Sequence, residues 1–346
     1  MTAEATPAAG VMRAVEIRDG FGLDHLALVE RPVPRPGPGQ ALVRVRAASL
    51  NYRDLLMATG RYNPKQKLPL VPCSDGAGEV VAVGEGTSRV RPGDRVCGIF
   101  AQGWIAGEPT REMARTTLGG PLDGMLAELV TLREEGLVET PEHLADEEAA
   151  TLPCAAVTAW SSLIEGGLKA GETVLLLGTG GVSIFALQLA VLAGARVIVT
   201  SSSDEKLERA RQLGAAAGIN YRQVPEWGAR VKELTGGAGV DYVLEVGGAA
   251  TLPQSLQAVR VGGTIYLIGV LSGNAAEISI PAIQMRSVRV QGVLVGSRAS
   301  FEALNRAAGL HRLRPVIDRA FPLAEARAAF EHMAAGGHFG KICIQL

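Results

Sequence analysis

The sequence is short of cysteine, of net charge and of long hydrophobic runs. Its four cysteines, Cys73, Cys97, Cys154 and Cys343, are scattered over 346 residues. They form no C-x-x-C pair and no histidine is spaced to join them, which leaves neither a disulfide framework nor a finger-type metal site. Reduced thiols in a cytoplasmic protein are expected. A formal net charge of −1 argues against nucleic acid or an anionic membrane as an obligatory partner. No apolar run approaches the roughly eighteen residues a membrane span needs. The first ten residues, MTAEATPAAG, have neither the basic segment nor the apolar core of a secretion signal and read as a flexible tail. The 43 glycines are spread through turns rather than gathered in tracts, so nothing is repetitive. With 47% hydrophobic residues, the length suits two domains, each with its own core.

The most informative stretch is 172–206. Thr173 to Leu177 is a short β-branched and leucine run, the pattern of a strand buried on both faces. It leads into Gly178-Thr179-Gly180-Gly181-Val182-Ser183, then an apolar helical segment from Ile184 to Leu192, then a second strand from Arg196 to Thr200. Strand, glycine turn, helix and strand in about thirty residues form the βαβ unit that binds dinucleotides. The glycines let the chain turn tightly and let its backbone approach a pyrophosphate at the helix start. Ser183 stands where the pattern has its third glycine, a small change at a packing position.

Before this unit the chain alternates like β-structure at Val11 to Val15, Leu26 to Glu30 and Ala41 to Ala47, with RPVPRPGPG as a turn. Asn51 to Thr59 reads as a short helix stopped by Gly60, with Asn51 as one candidate N-cap. Strands follow at Gly78 to Val83, Arg95 to Ile99 and Leu126 to Leu132. Residues 100–124 form a long irregular loop, of the kind that usually carries function. Leu144 to Leu163 looks helical, divided at Pro153. After Thr200, helices near 206–213, 227–234 and 253–259 alternate with strands near 220, 240–246, 264–269 and 288–295. Six strands alternating with helices predict a doubly wound, open parallel sheet. Helices at 299–308 and 323–335 and a strand at Lys341 to Gln345 break the alternation and are expected to return to the first domain.

Taken together, NYRDLL, the GAGEVVAVGEGT run with RPGDRV, LPCAAVTAW, the glycine turn and the closing FGKICI make the chain resemble the medium-chain dehydrogenase/reductase superfamily. The resemblance runs from about Arg13 to Leu346. It implies an α/β protein with a GroES-like β-rich catalytic domain (11–155 and 299–346) around an inserted Rossmann domain (156–298). Metal-dependent members hold zinc with a Cys, a His and a further Cys, backed by a Glu. The resemblance puts Asn51, Ser74, Cys154 and Asp75 at those positions, too few good donors for the metal, so no metal is expected. The structural zinc lobe is missing as well. Reduction of an isolated carbonyl needs a Lewis acid or a strong proton donor, whereas hydride addition to a conjugated acceptor leaves an enolate that hydrogen bonds can stabilise.

The zinc-lacking branch resembles quinone oxidoreductases, alkenal reductases and enoyl reductases, and the implied activity is reduction of a quinone, enone or 2-alkenal. Tyr62 then matches a proposed proton donor, since a phenol with a pKa near ~10 is a plausible acid toward an enolate carbon; it can equally be a rim aromatic. Asn51 can donate toward the cofactor ribose or the substrate oxygen. The resemblance assigns Gly178, Thr179, Gly180, Gly181 and Val182 to the pyrophosphate. Ser201, Ser202, Lys206 and Tyr221 fall where a 2′-phosphate is held, with no acidic residue at the end of the second strand, which points to NADPH over NADH. Thr158, Val246, Ile268, Gly269, Val270, Val293, Val295, Gly340 and Lys341 are implied to line the cofactor, although Lys341 reads equally well as an exposed charge. Tyr52, Trp104, Leu122 and Met125 are candidates for the substrate pocket, the last three with a core role as the alternative. The resemblance implies an oligomer, since relatives are usually dimers or tetramers; a homodimer is expected, with the edge strand near Val288 to Val295 as its seam. Alcohol dehydrogenase is the alternative activity, and a non-catalytic dinucleotide-binding protein the second alternative.

Overall fold

The computed structural model describes residues 10–346, so the expected tail lies almost wholly outside the described residues. The chain forms two compact units, one comprising residues up to Val157 with Gly296–Leu346, the other Thr158–Val295.

The first unit is mostly β. A seven-stranded sheet runs Ile317–Pro322, Lys341–Gln345, Gln40–Leu50, Asp75–Val83, Arg95–Gly98 and Leu137–Glu139, with Leu129–Arg133 also paired to Gln40–Leu50. The central strand, QALVRVRAASL, follows its sequence pattern: Val43 and Val45 point into the core while Arg44 and Arg46 are exposed. Gly78 lets two strands approach closely, because a Cβ there would sit 2.1 Å from the Arg44 carbonyl oxygen. Val11–Ile17 and Leu26–Pro32 pair as a separate antiparallel ribbon. The core gathers Val43, Val45, Leu55, Met57, Leu126, Phe330 and Ile342 among others. The C-terminal strand pairs with Gln40–Leu50, and this pairing builds the end of the chain into the N-terminal unit.

The second unit is a six-stranded parallel sheet in the order Ala217–Asn220, Arg196–Ser201, Thr173–Leu177, Val240–Glu245, Val259–Leu267, Arg289–Gly292. In chain order that is 3-2-1-4-5-6, with the strand order reversing between Thr173–Leu177 and Val240–Glu245. Val174, Leu175 and Leu176 are fully buried, as a central parallel strand requires.

Several expected elements change. The strand near 288–295 is only Arg289–Gly292, and the fifth strand begins at Val259 rather than Thr264. Residues 323–335 form a 3-10 turn and then the helix Ala326–Ala334. The segment around Pro153 is the helix Asp146–Ala150, a π-turn at Leu152–Ala156 and the helix Val157–Leu163. The Cys154 N–H donates to Asp75 Oδ2 at 3.0 Å, and a register shift is the usual result of taking an N–H out of the helical ladder. The strands Leu137–Glu139 and Ile317–Pro322 and the short helix Ile280–Gln284 have no counterpart in the sequence expectation.

Candidate active site

In the first unit the site grows from the start of the helix Tyr52–Ala58. Asn51 stands in extended backbone as its N-cap residue. Its side chain does not do the capping: Asp54 Oδ2 accepts from the Asn51 N–H at 2.8 Å, and Asn51 Oδ1 accepts from Lys341 Nζ at 2.6 Å. Asn51 Nδ2 donates to Ser74 Oγ at 3.3 Å, and the Ser74 hydroxyl donates to Asp75 Oδ1 at 2.7 Å. Asp75 Oδ2 closes the network on the Cys154 N–H. Lys341, read as a possible exposed charge, is 3% exposed and also donates to the Leu50 carbonyl at 2.6 Å. Its neighbour Gly340 lies at φ +84, where a Cβ would meet the Val316 carbonyl at 2.3 Å.

Burial dominates the acidity of this cluster. It pushes the Asp54 carboxyl up to about 6, against the opposing pull of the Arg53 guanidinium and the Asn51 N–H. It also raises Asp75, opposed by Lys341, and raises the Cys154 thiol, where the Asp75 charge adds to the effect.

Tyr62 is exposed, and its ring lies 4.9 Å from the guanidinium carbon of Arg53. That guanidinium also lies 5.0 Å from the Phe100 ring centroid, and it donates to the carbonyls of Leu118 (2.9 Å) and Gly120. Sequence reasoning assigned Arg53 no role. A basic residue beside N-x-x-D was the available signal.

The pocket candidates separate. Met125 is 1% exposed and packs within the hydrophobic core, so it offers no wall. Trp104 is 7% exposed and its indole donates to the Gly107 carbonyl at 2.8 Å, a contact within the loop itself. Tyr52 packs partly buried against the core. Leu122 is exposed and lines a cavity of about 440 Å³ with Gln102, Leu118, Arg31 and Val71. Neither Asn51, Tyr62 nor Lys341 lines that cavity.

In the second unit Gly178 lies at φ +71 and Gly180 is the N-cap of the helix Gly181–Leu192. A Cβ added at either would meet no atom within 4 Å, so open space lies over the turn. Thr179 is buried and Val182 half-buried beside it. The Ser183 hydroxyl donates to the Leu177 carbonyl at 2.7 Å, tying helix to strand where the motif has glycine. At the end of the second strand Ser201 is buried and accepts from the Ser203 N–H, while Ser203 caps the helix Asp204–Gln212 through the Lys206 N–H. Ser202 is half-buried and Tyr221 exposed. Asp204 is engaged by the amides of Asn220 (2.9 Å) and Gln223 (2.8 Å). Thr158 is buried at the start of this unit. Val246, Ile268, Gly269, Val270, Val293 and Val295 follow the carboxyl ends of their strands, the edge where such sheets bind ligands.

The Alcohol dehydrogenase GroES-like domain model matches residues 37–142, and the Zinc-binding dehydrogenase model matches 181–308. A Zinc-type alcohol dehydrogenase-like protein of Schizosaccharomyces pombe is 41% identical over 333 residues, covering 94% of this chain and 96% of its own. The chain belongs to the medium-chain dehydrogenase/reductase superfamily. Within that superfamily it is also similar to a Quinone oxidoreductase of Pongo abelii, 30% identical over 97% of this chain and 98% of the relative. Among solved structures, a Sinorhizobium meliloti 1021 protein provisionally named an alcohol dehydrogenase is 44% identical with a TM-score of 0.91, covering 99% of this chain and all of that one. The superfamily's GroES-like half corresponds to the first, β-rich unit, and the parallel sheet to the second.

Proposed function

We propose that the chain is a zinc-independent, NADPH-dependent reductase of conjugated carbonyls, acting on a quinone, an enone or a 2-alkenal. The observation that carries the reading is the closed network around Lys341. A catalytic zinc takes three protein donors of the Cys, His or carboxylate type. Here Asn51 Oδ1 is 2.6 Å from an ammonium nitrogen, the Ser74 hydroxyl is spent on Asp75, and both Asp75 oxygens accept hydrogen bonds. Cys154 and Asp75 are then the only donors of the required type at these positions, fewer than the three a catalytic zinc takes. This donor set does not fit the metal.

The residues of the second unit do fit a nicotinamide dinucleotide. Open space over Gly178 and Gly180 and the free N–H groups of the helix start suit a pyrophosphate held by residues 178–182. Ser201, Ser202, Lys206 and Tyr221 suit a 2′-phosphate, and the amide bonds of Asp204 keep that carboxylate engaged elsewhere. When bound, the cofactor supplies the hydride. The chain's part is to orient the acceptor, to stabilise the enolate oxygen from Asn51 and to deliver the proton to the α-carbon from Tyr62. The absence of disulfides among the four cysteines supports a reducing, cytoplasmic setting, and the exposed edge strand Arg289–Gly292 supports a homodimer.

The alternative is an alcohol dehydrogenase, favoured by the name of the Schizosaccharomyces pombe relative and by Asp75 and Cys154 as remaining donors. Initial rates of chelator-treated protein with a quinone, an enone, a 2-alkenal and a saturated aldehyde decide between them, each with NADPH and NADH. Turnover of the conjugated acceptors alone, indifferent to chelation and faster with NADPH, is expected. Saturated-aldehyde turnover that chelation abolishes and zinc restores would establish the alternative.

A further inference from the structure

The second strand of the parallel sheet ends on hydroxyls, yet an acid stands close behind them. Ser201 closes the strand Arg196–Ser201, Ser203 caps the next helix, and Asp204 is the first residue of that helix. In dinucleotide-binding sheets an acidic side chain near this place accepts a hydrogen bond from the ribose 2′-hydroxyl, and its charge works against a 2′-phosphate. Asp204 would therefore oppose the NADPH preference read from Ser201, Ser202, Lys206 and Tyr221 if its carboxylate could turn to the nucleotide. A carboxylate in the first turn of a helix suits the dipole, which explains why an acid stands there but not which way its oxygens point.

Their direction is set from another element. Asn220 Nδ2 donates to Asp204 Oδ1 at 2.9 Å, and Gln223 Nε2 donates to Asp204 Oδ2 at 2.8 Å. Both amides belong to the end of the third strand, Ala217–Asn220, and the turn that follows it. That turn is itself well tied. The Asn220 carbonyl accepts from the N–H groups of Gln223 (3.0 Å) and Val224 (2.9 Å), and the Tyr221 N–H donates to the Ser201 carbonyl at 3.0 Å. Asn220 Oδ1 accepts from the Arg222 N–H at 3.1 Å. With its carbonyl end committed there, the Asn220 amide presents its N–H end to Asp204. Two neutral amides do not cancel the charge of a carboxylate; they fix where it faces.

We propose that Asn220 and Gln223 are specificity-determining residues, a latch that holds the Asp204 carboxylate toward the third strand so that it neither accepts from a ribose 2′-hydroxyl nor turns its charge on a 2′-phosphate. The proposal rests on the reading of this unit as an NADPH site. It makes cofactor choice depend on two residues about twenty positions beyond the acid they restrain, and it leaves the chain able to change preference without gaining a new acid.

The test uses the full chain and three variants: Gln223→Ala, Asn220→Ala/Gln223→Ala and Asp204→Asn/Asn220→Ala/Gln223→Ala. Calorimetric Kd values for NADPH and NADH are measured without acceptor, and their ratio is the readout. The double variant is expected to bind NADPH more weakly and NADH more tightly, moving the ratio by about tenfold or more toward NADH, the scale of bringing one like charge to bear on a phosphate. Gln223→Ala should move it part of the way, and the triple variant should return it to the wild-type value. A role in stability alone would weaken both cofactors alike. An unchanged ratio in the double variant, or a shift that persists when Asp204 is Asn, would overturn the proposal. If the double variant does not fold, Gln223→Ala decides, since Gln223 is exposed, and an unchanged ratio there overturns the proposal equally. Wild-type protein that binds NADH more tightly than NADPH would overturn the NADPH reading instead, while the direction in which the variants move the ratio would still decide whether the latch acts.

Discussion

Gly178 and Gly180 sit two residues apart in one turn and are glycine for different reasons. Gly178 needs the left-handed backbone at φ +71, whereas Gly180 lies at φ −78, where any residue is comfortable. Gly178→Ala should therefore lower stability by about 1–2 kcal/mol through backbone strain. Gly180→Ala should leave the urea midpoint unchanged, because its Cβ meets nothing within 4 Å. The methyl group would instead fill the space proposed for the pyrophosphate and weaken NADPH binding at least tenfold, about 1.4 kcal/mol. Calorimetric titration beside urea unfolding separates the two effects, and a Gly180→Ala protein that binds NADPH like wild type would remove the turn from the cofactor site. The spacing of these glycines was legible because the constraint is local. The burial of Lys341 was not, since its partner Asn51 is 290 residues away and a lysine opening a strand gives no local sign of being enclosed. Ser183 is an intermediate case: its place in the motif was readable, but its bond to the Leu177 carbonyl appears only once strand and helix are packed.

The helix Tyr52–Ala58 works as a bracket between the sheet and the loop that follows Gly98. Arg53 holds the loop by its backbone at Leu118 and Gly120 and lies against the rings of Tyr62 and Phe100. Its side chain is largely buried, so these are desolvated, charge-assisted contacts, each worth more than a surface pair. Arg53→Met is expected to cost roughly 2–4 kcal/mol and to loosen the loop before the rest of the unit. Limited trypsinolysis reads the second effect directly, because Arg111 and Arg115 are exposed in that loop. Cleavage there should accelerate about tenfold, and an unchanged rate would mean that the loop holds itself. Elements with a strong period were the legible ones: the Rossmann strands and the central strand of the β-rich unit declare themselves by alternation or by unbroken apolar runs. Ile317–Pro322 was invisible because IDRAFP buries one residue of six, carries two charges and ends in proline, the profile of an edge strand rather than a core one. Leu137–Glu139 is too short to carry a period at all.

At the scale of the whole molecule, the six-stranded sheet has a strand with an unpaired side. Among the described residues Arg289–Gly292 pairs with Val259–Leu267 alone, and three of its four residues are exposed. Unpaired N–H and C=O groups on such an edge invite another strand unless charge, proline or a bulge blocks them. The surroundings are apolar as well: Met285 is 80% exposed, Ile280 66% and Leu294 43%. A two-fold axis through this edge would pair the strand with its own copy, antiparallel, and cover those side chains in one isologous contact. The sequence could indicate this edge only through the resemblance, since exposure is a property of the folded sheet and not of the residues Arg289 to Gly292 themselves. Light scattering on purified protein at about 10 µM should return twice the monomer mass. The double variant Met285→Glu/Leu294→Glu adds charges at exposed positions outside both hydrophobic cores, so it should fold with an unchanged circular-dichroism spectrum yet scatter as a monomer. A wild-type monomer would leave the edge exposed in solution and refute the pairing. A dimer that survives both glutamates would move the interface to another face of the molecule.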